Sequence, residues 1–285
     1  MPLTYWRAGD GGPRVVIVGA PGTSVRFWTP VMEALRHSFA TLFVEYRGFP
    51  DEGRVLPAEE LTVGRAADDL EAVLRAEGVE RFHLASWCLG AKLAWETLRR
   101  HPERVLSVAA VGTAFRGEGE GADGPFARAM RGIRERVERD PGAAPAMIRM
   151  MRLSGFVPDD EYFAGIRREP GDGAGEGAEA SALPFHHNGT PCGLRNYLPL
   201  YEEFDRFRVS HLFPATRVPV TVVTGAGDRI TPLDPGARAA LDAIPRVRYE
   251  TVEGATHYLP VELPGRLAAL LARHVERAAP GPVPA

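Results

Sequence analysis

The sequence predicts an α/β fold built on a mostly parallel sheet. Short runs of apolar, β-branched residues recur along the 285 residues and alternate with patterns of helical period. These runs are apolar nearly throughout, which is typical of strands that helices cover on both faces. Alternation of strand and helix favours right-handed crossovers between parallel strands. The chain is also long enough to bury one large hydrophobic core.

Each element follows from a local pattern. The chain opens with TYWRAG and DGGPR, which we expect to form a strand and turn of a hairpin at the sheet edge. Apolar positions at helical spacing predict a helix over 61–78, and Gly78 is a typical C-terminal stop. A second helix over 89–102 stops at Pro102, and a third covers 263–279. Six further strands are predicted at 15–18, 41–46, 81–86, 105–111, 218–225 and 247–252.

One long region interrupts the alternation. Residues 115–214 contain no convincing strand and have helical patterns at 124–140, 143–155 and 191–210. We expect this insert, placed before the last two strands, to be a helical cap at the sheet's edge. The core would then comprise 1–114 and 215–278; a separate domain is the alternative. The stretch 169–180 has no large side chain and is expected to be mobile, and 279–285 is expected to be a disordered tail.

Composition excludes several classes of function. The net charge of −3 provides no basic field for nucleic acid or an anionic membrane. No apolar run approaches the roughly 18 residues of a membrane span, and MPLTYWRAGD lacks the apolar segment of a signal peptide. We therefore expect a cytoplasmic protein. Two cysteines cannot form a disulfide framework or a zinc site alone, and no phosphate-binding or dinucleotide-binding motif is present, so no metal or cofactor is expected.

The segment Ser86-Trp87-Cys88-Leu89-Gly90 follows a predicted strand and opens a predicted helix. A strand–turn–helix of this kind places its central residue at a helix N-terminus, which favours a thiolate at Cys88. The backbone N–H of Leu89 would lie where an oxyanion forms. We expect the Trp87 side chain to point away from the site. The alternative is that Cys88 is a buried structural cysteine.

Two further segments complete a candidate triad. Asp228 follows the strand 218–225, and His257 follows the last strand. In such a triad His257 takes the proton of Cys88, while Asp228 fixes the imidazole tautomer and stabilises the imidazolium. Taken singly, Asp228 could be a turn residue and His257 a structural histidine. The chain order of nucleophile, acid and histidine, each in a loop after a strand, favours the catalytic interpretation.

With these motifs the chain resembles the α/β-hydrolase superfamily from about residue 4 to 277, with an elbow in place of G-x-S-x-G. VVIVGAPGTSVRFWTPVMEAL is similar to the family's oxyanion loop, which implies that the Ala20 N–H is the second oxyanion donor. There are four departures: Cys88 replaces serine, Ser86 replaces the first elbow glycine, Glu45 stands where aspartate is usual, and Val18-Gly19 stands in place of the family's HG. A cysteine nucleophile in this fold resembles dienelactone-hydrolase-like enzymes and some thioesterases of specialised metabolism.

The resemblance implies a cofactor-independent hydrolase of an ester, lactone or thioester. These acyl groups have better leaving groups than amides, which suits a thiolate. The substrate would be a small acyl compound, free or bound to a carrier protein. The atypical elbow, together with a composition typical of GC-rich genomes, points to specialised metabolism such as antibiotic biosynthesis. Three alternatives stay open: elimination of a carboxylate by a lyase with His257 as base, acyl transfer or cyclisation, and a catalytically silent ligand-binding protein.

Weaker candidates for substrate binding lie in the insert. His186 and His187 could reach the substrate, although solvated loop histidines are the simpler interpretation. Met151 could line an apolar pocket, although packing within the cap would explain it equally.

Overall fold

The computed structural model describes residues 3–49, 53–113, 115, 125–153 and 189–278. Within these residues, seven strands form one sheet: β1 Tyr5–Ala8, β2 Arg14–Val18, β3 Ala40–Val44, β4 Phe82–Trp87, β5 Val105–Val111, β6 Val220–Gly225 and β7 Val247–Val252. Their order across the sheet is β1-β3-β2-β4-β5-β6-β7. Among these described strands, only the pairing of β1 with β3 is antiparallel. The predicted mostly parallel α/β sheet is therefore confirmed.

The predicted N-terminal hairpin is wrong. β1 pairs with β3, not with β2, which follows it in sequence, and β2 lies between β3 and β4. The physical reason is burial, because residues 15–18 are all buried and suit an interior strand, whereas β1 is largely exposed and suits an edge. Gly9 and Gly12 have positive φ and pack so closely on residues 36–39 that no side chain would fit there, which leads the chain past β3.

Helices cover the sheet, and their described bounds are α1 Thr29–Leu35, α2 Val63–Ala76, α3 Gly90–Arg100, α4 Pro125–Arg139, α5 Ala144–Leu153, α6 Pro191–Arg206, α7 Pro235–Leu241, α8 Leu259–Glu262 and α9 Pro264–Ala278. α1 packs against α9, and α2 packs against α3. The three core helices predicted from sequence correspond to α2, α3 and α9.

Three described helices, α4, α5 and α6, lie between β5 and β6 and contact one another. α6 is also bonded to the sheet-bearing part of the chain. The Asn196 side chain accepts from the Leu56 N–H and donates to the carbonyls of Gly48 and Arg54. At the other end of α6, Lys92 Nζ donates to the Asp205 carbonyl at 2.7 Å. The stretches 169–180 and 279–285 lie outside the described residues, so the predictions made for them stay predictions.

The parallel strands bring their carboxyl ends to one edge of the sheet. Ala20 follows β2, Cys88 follows β4, and Gly112 follows β5. Asp228 and His257 follow β6 and β7 in the same way. In open α/β sheets this edge is where ligands bind.

Candidate active site

Cys88 occupies a sharp turn between β4 and α3. Its φ of 52° is left-handed, and among the described residues no other non-glycine residue has a positive φ. Such a conformation costs about 1 kcal/mol or more and persists only where the surroundings impose it. The Cys88 N–H donates to the Val111 carbonyl at 3.0 Å, which fixes the turn to β5. A Cβ on Gly90 would lie 2.4 Å from the Gly19 oxygen, so only glycine lets α3 approach β2 this closely.

His257 and Asp228 form a buried pair beside this turn. His257 Nδ1 lies 2.9 Å from Asp228 Oδ2, and both side chains are almost completely buried. Asp228 also accepts hydrogen bonds from the backbone N–H groups of Ile230 and Thr231. The Thr231 hydroxyl donates to Asp228 Oδ2 at 2.9 Å and lies 3.0 Å from His257 Nδ1. Both oxygens of the Asp228 carboxylate therefore accept hydrogen bonds, and Oδ2 also holds the imidazole of His257.

The pKa values of His257 and Asp228 are shifted by interactions within the candidate triad. Burial disfavours the imidazolium of His257, but charge on Cys88 and hydrogen bonds to Asp228 and Cys88 outweigh it and raise the pKa of His257 to about 9. Burial works against ionisation of Asp228, yet bonds from His257 and Thr231 hold the pKa of its carboxyl below the usual value. Because Nδ1 of His257 is bonded to Asp228, Nε2 is the ring nitrogen available to the Cys88 sulfur.

The loop that carries His257 is held by two further side chains. Glu262, in α8, accepts from the N–H and the hydroxyl of Thr256 at 2.7 and 2.6 Å. Trp87 Nε1 donates to the His257 carbonyl at 2.9 Å, and its ring centroid lies 4.9 Å from the imidazole. The prediction that Trp87 points away from the site is therefore wrong. The left-handed turn at Cys88 breaks the strand alternation that would separate neighbouring side chains.

The two predicted oxyanion donors lie directly after strands β2 and β4. Ala20 lies two residues beyond β2, and Leu89 links Cys88 to α3; both are buried. Within the described part of the chain, neither backbone N–H donates to a protein acceptor, whereas both carbonyls accept a bond. Two such donors near a nucleophile can stabilise a developing oxyanion.

The side chains of residues 45 and 46 support the loop that contains Ala20. The buried Tyr46 hydroxyl donates to the Gly19 carbonyl at 2.8 Å. Because a trans peptide points its C=O and N–H in opposite directions, this bond also fixes the direction of the Ala20 N–H. Glu45 accepts from the Val25 N–H at 3.2 Å, so it ties the following turn to the end of β3.

The sequence analysis missed two residues that shape the site. Gly112 has φ of 51°, and a Cβ there would lie 3.2 Å from His257 Nδ1 and 3.5 Å from Asp228 Oδ2. A glycine directly after the central strand β5 is the signal that could have revealed it. Tyr197, in α6, is the second: burial and then the charges of the neighbouring Tyr201 and of Cys88 raise its pKa well above the usual value.

The remaining predicted site residues are not brought into the triad. Met151 is fully buried near the end of α5, within the hydrophobic core. His186 and His187 lie outside the described residues, so their role stays a prediction. Over the part of the chain that is described, no three or more His, Cys, Asp or Glu side chains are grouped as metal ligands would be. No helix in that part is long and apolar enough to cross a membrane.

Comparison with known proteins decides the family. The profile of the alpha/beta hydrolase family matches residues 15–270. The chain belongs to the alpha/beta hydrolase family. Its mostly parallel sheet flanked by helices is thus the fold of a hydrolase family member, as the sequence motifs predict.

Individual relatives are distant. The chain is similar to the protein named "Putative carbamate hydrolase RutD" of Caulobacter sp. (strain K31), with 26% identity over 262 residues that cover 89% of each protein. In fold it is similar to a thermophilic esterase from Thermogutta terrifontis, at a TM-score of 0.69 and 21% identity, over 98% of this chain and 94% of that one. It is also similar to the enol-lactonase from Burkholderia xenovorans LB400, at a TM-score of 0.69 and 18% identity, over 96% of each chain.

Proposed function

We propose that this alpha/beta hydrolase cleaves an ester, lactone or thioester through a covalent intermediate on Cys88. The observation that carries the proposal is the left-handed turn at Cys88, together with a His257 whose pKa, despite burial, the charge on Cys88 raises and whose imidazole is held by Asp228. Backbone strain at a non-glycine residue persists only where the surrounding structure imposes it, and such strained residues cluster at active sites. Here it brings one nucleophile and one base together.

In the acylation step, the Cys88 sulfur bonds to the acyl carbon of the substrate. The carbonyl electron pair moves to oxygen, and the N–H groups of Ala20 and Leu89 stabilise the oxyanion. When the carbonyl re-forms, the bond to the leaving oxygen or sulfur breaks. His257, protonated by Cys88, gives its proton to that leaving group, and Asp228 stabilises the imidazolium until then.

In the deacylation step, water attacks the thioester formed on Cys88. His257 takes one proton from the water, and the resulting tetrahedral intermediate expels the Cys88 sulfur. The proton returns to the sulfur and the free acid leaves. No oxidant, reductant or metal enters this balance. An acceptor alcohol or amine in place of water would give acyl transfer by the same steps.

A second candidate substrate class is a carbamate. The relatives that carry the name carbamate hydrolase align over most of this chain, which favours testing it. A carbamate presents the same carbonyl to the sulfur, and the adduct on Cys88 would then be a carbamoyl group. The bond to the alcohol oxygen breaks when that adduct forms. Esters and thioesters remain the better fit, because the carbamate nitrogen donates its lone pair to the carbonyl and makes the carbon a poorer electrophile for the sulfur.

The wider setting of the enzyme is part of the same proposal. We assign 1–114 and 215–278 to the hydrolase core and 115–214 to a cap, since α6 is hydrogen-bonded to the core through Asn196 and Lys92. We place the protein in the cytoplasm and in specialised metabolism, acting on a small acyl compound, free or carrier-bound. His186, His187 and Met151 are proposed to contact the acyl group.

The test is intact-mass analysis after incubation with a panel of acyl thioesters, lactones, 4-nitrophenyl esters and carbamates. We expect a substrate-derived adduct on Cys88 and oxygen from ¹⁸O-labelled water in the released acid. Cys88→Ala should abolish the adduct and lower the hydrolytic rate about 10³-fold or more. Cys88→Ser should also be slow, because a serine hydroxyl ionises far less readily than a thiol. The matched control is Cys192→Ala, which should behave as wild type.

Other outcomes assign other functions. An active Cys88→Ala variant that yields only an unsaturated product, without oxygen from water, would establish elimination and contradict the hydrolase proposal. Equal labelling of Cys88 and Cys192 by iodoacetamide, with no turnover of any panel member, would support a ligand-binding protein instead.

A further inference from the structure

We infer that Trp87 is a positioning residue that holds His257 against Cys88 and stabilises its protonated form during the reaction. The inference rests on the proposed function, because it concerns the same nucleophile and base. It assigns a role to the residue directly before the nucleophile, for which the sequence predicts no contact with the site.

The first argument is connectivity. Trp87 is covalently joined to Cys88, and its indole N–H donates to the backbone carbonyl of His257, 170 positions further along the chain. The bond is 2.9 Å long and buried, and the Trp87 side chain is only 2% exposed. A buried bond of this kind is stronger than an exposed one. One rigid side chain therefore fixes the distance between the loops that follow β4 and β7.

The second argument is the position of the ring. The indole centroid lies 4.9 Å from the His257 imidazole, within the range at which an aromatic face attracts a cation. The indole cannot swing aside, because Phe27 packs against it at 4.4 Å. The titratable groups that face His257 are Cys88, Asp228 and Tyr258. Trp87 adds a favourable interaction with the imidazolium that forms once the proton leaves Cys88.

The third argument is a comparison among the buried tryptophans. Trp28 and Trp95 are fully buried, and within the described residues neither indole N–H has a hydrogen-bond partner. This core therefore tolerates an indole whose N–H is unused. In Trp87 the N–H is instead directed at the catalytic histidine, which simple packing does not require.

The experiment compares Trp87→Phe, Trp87→Leu and the control Trp95→Phe with wild type. Two readouts are used: the rate at which iodoacetamide alkylates Cys88 near neutral pH, and kcat and KM with the 4-nitrophenyl ester that the panel identifies. Histidine NMR titration, with His257 assigned by its loss in His257→Gln, adds the pKa of the imidazole. Trp95→Phe removes an indole without breaking a hydrogen bond.

We expect Trp87→Phe to lower kcat about tenfold with little change in KM, as loss of one buried hydrogen bond would. Trp87→Leu should lower kcat by about a further tenfold and lower the pKa of His257, because it also removes the aromatic face. Alkylation of Cys88 should slow in the same order. Trp95→Phe should leave all three readouts unchanged, even where it lowers the melting temperature.

The inference is overturned if the Trp87 variants lose stability like Trp95→Phe while kcat, alkylation and the His257 titration stay at wild-type values. If Trp87→Leu does not fold, Trp87→Phe alone decides through kcat and alkylation. Failure of the proposed function looks different: Cys88→Ala would then retain activity, whatever the Trp87 variants do.

Discussion

Single backbone positions determine whether this site can form. Cys88 must accept a left-handed turn, Gly90 must leave room for the carbonyl of Gly19, and Gly112 must leave room for His257. Tyr46 fixes the peptide plane that carries the Ala20 N–H. The sequence identifies Cys88 and Gly90 through their spacing, but Gly112 and Tyr46 act through contacts between distant strands, which spacing does not encode.

The role of Gly112 leads to a prediction. Gly112→Ala places a methyl group 3.2 Å from His257 Nδ1, at a residue whose φ is already unfavourable for alanine. We expect kcat to fall at least tenfold, because the imidazole must shift away from Asp228 or Cys88, and a rise in KM should be small. Steady-state kinetics on the identified substrate measure both.

Gly78→Ala is the matched control for this prediction. Gly78 also has a positive φ, of 61°, but a Cβ there would meet no atom within 4 Å. Both variants should lose about 1 kcal/mol of stability from backbone strain, and only Gly112→Ala should lose activity. Equal kinetics in the two variants would show that the space beside His257 is not needed.

At the scale of elements, the carboxyl ends of five parallel strands carry the residues of the candidate site. Away from that edge, two buried histidines are hydrogen-bonded to hydroxyl groups of the sheet. His83 in β4 is bonded to the Ser107 hydroxyl in β5 at 2.7 Å, and His274 in α9 is bonded to the Thr221 hydroxyl in β6 at 2.8 Å. Both histidines are buried, and burial lowers the pKa of each to about 4. The first bond joins β4 to β5, and the second joins the last helix, α9, to β6.

The two buried histidines, His83 and His274, predict that the folded protein loses stability in acid. The pKa of both histidines is depressed in the folded state, so the unfolded chain binds more protons between pH 6.5 and about 4. The stabilising contribution is complete above pH 6.5 and is lost as pH falls towards 4, on the order of a few kcal/mol. The pKa of His257 is raised, so its stabilising contribution is lost only as pH rises from 6.5 to about 9. It therefore does not change the stability measured between pH 6.5 and 4.

Urea unfolding at a series of pH values measures this contribution. His274→Gln should lose stability at neutral pH and show a shallower decline between pH 6.5 and 4, because one of the two titrating groups is gone. His37→Gln, in which an exposed histidine is replaced, should follow the wild-type curve. An unchanged slope in His274→Gln would contradict the assignment.

Across the whole molecule, the sequence predicts the sheet and the candidate triad because both depend on local patterns: apolar runs, and polar residues directly after them. It fails where tertiary packing decides. β1 crosses to β3 because the interior place beside β2 goes to a more apolar strand, and Trp87 turns towards the site because of the torsion at Cys88. The seven-residue helices α1 and α7 are too short for helical periodicity to reveal them.

The relation between insert and core gives the last prediction. Asn196 makes three hydrogen bonds from α6 to the backbone of Gly48, Arg54 and Leu56, and its side chain is fully buried. Tyr197 is the next residue, and the charge on Cys88 is, after burial and Tyr201, one of the causes that raise its pKa. Asn196→Ala should cost about 2–4 kcal/mol of stability, because it leaves buried polar groups unpaired. It should also change the ratio of kcat/KM between short and long acyl esters, since the helix that carries Tyr197 loses its anchor.

Thr216→Val separates these two effects. Thr216 is also buried, and its hydroxyl donates to the Leu212 carbonyl beyond the end of α6, so its replacement removes a buried hydrogen bond without freeing the Asn196 anchor. Both variants should unfold at lower urea concentration than wild type, and only Asn196→Ala should alter the acyl-chain preference. If the preference is unchanged in Asn196→Ala although its stability falls, the docking of α6 does not control substrate choice, and the proposal that residues 115–214 form a cap over Cys88 loses its support.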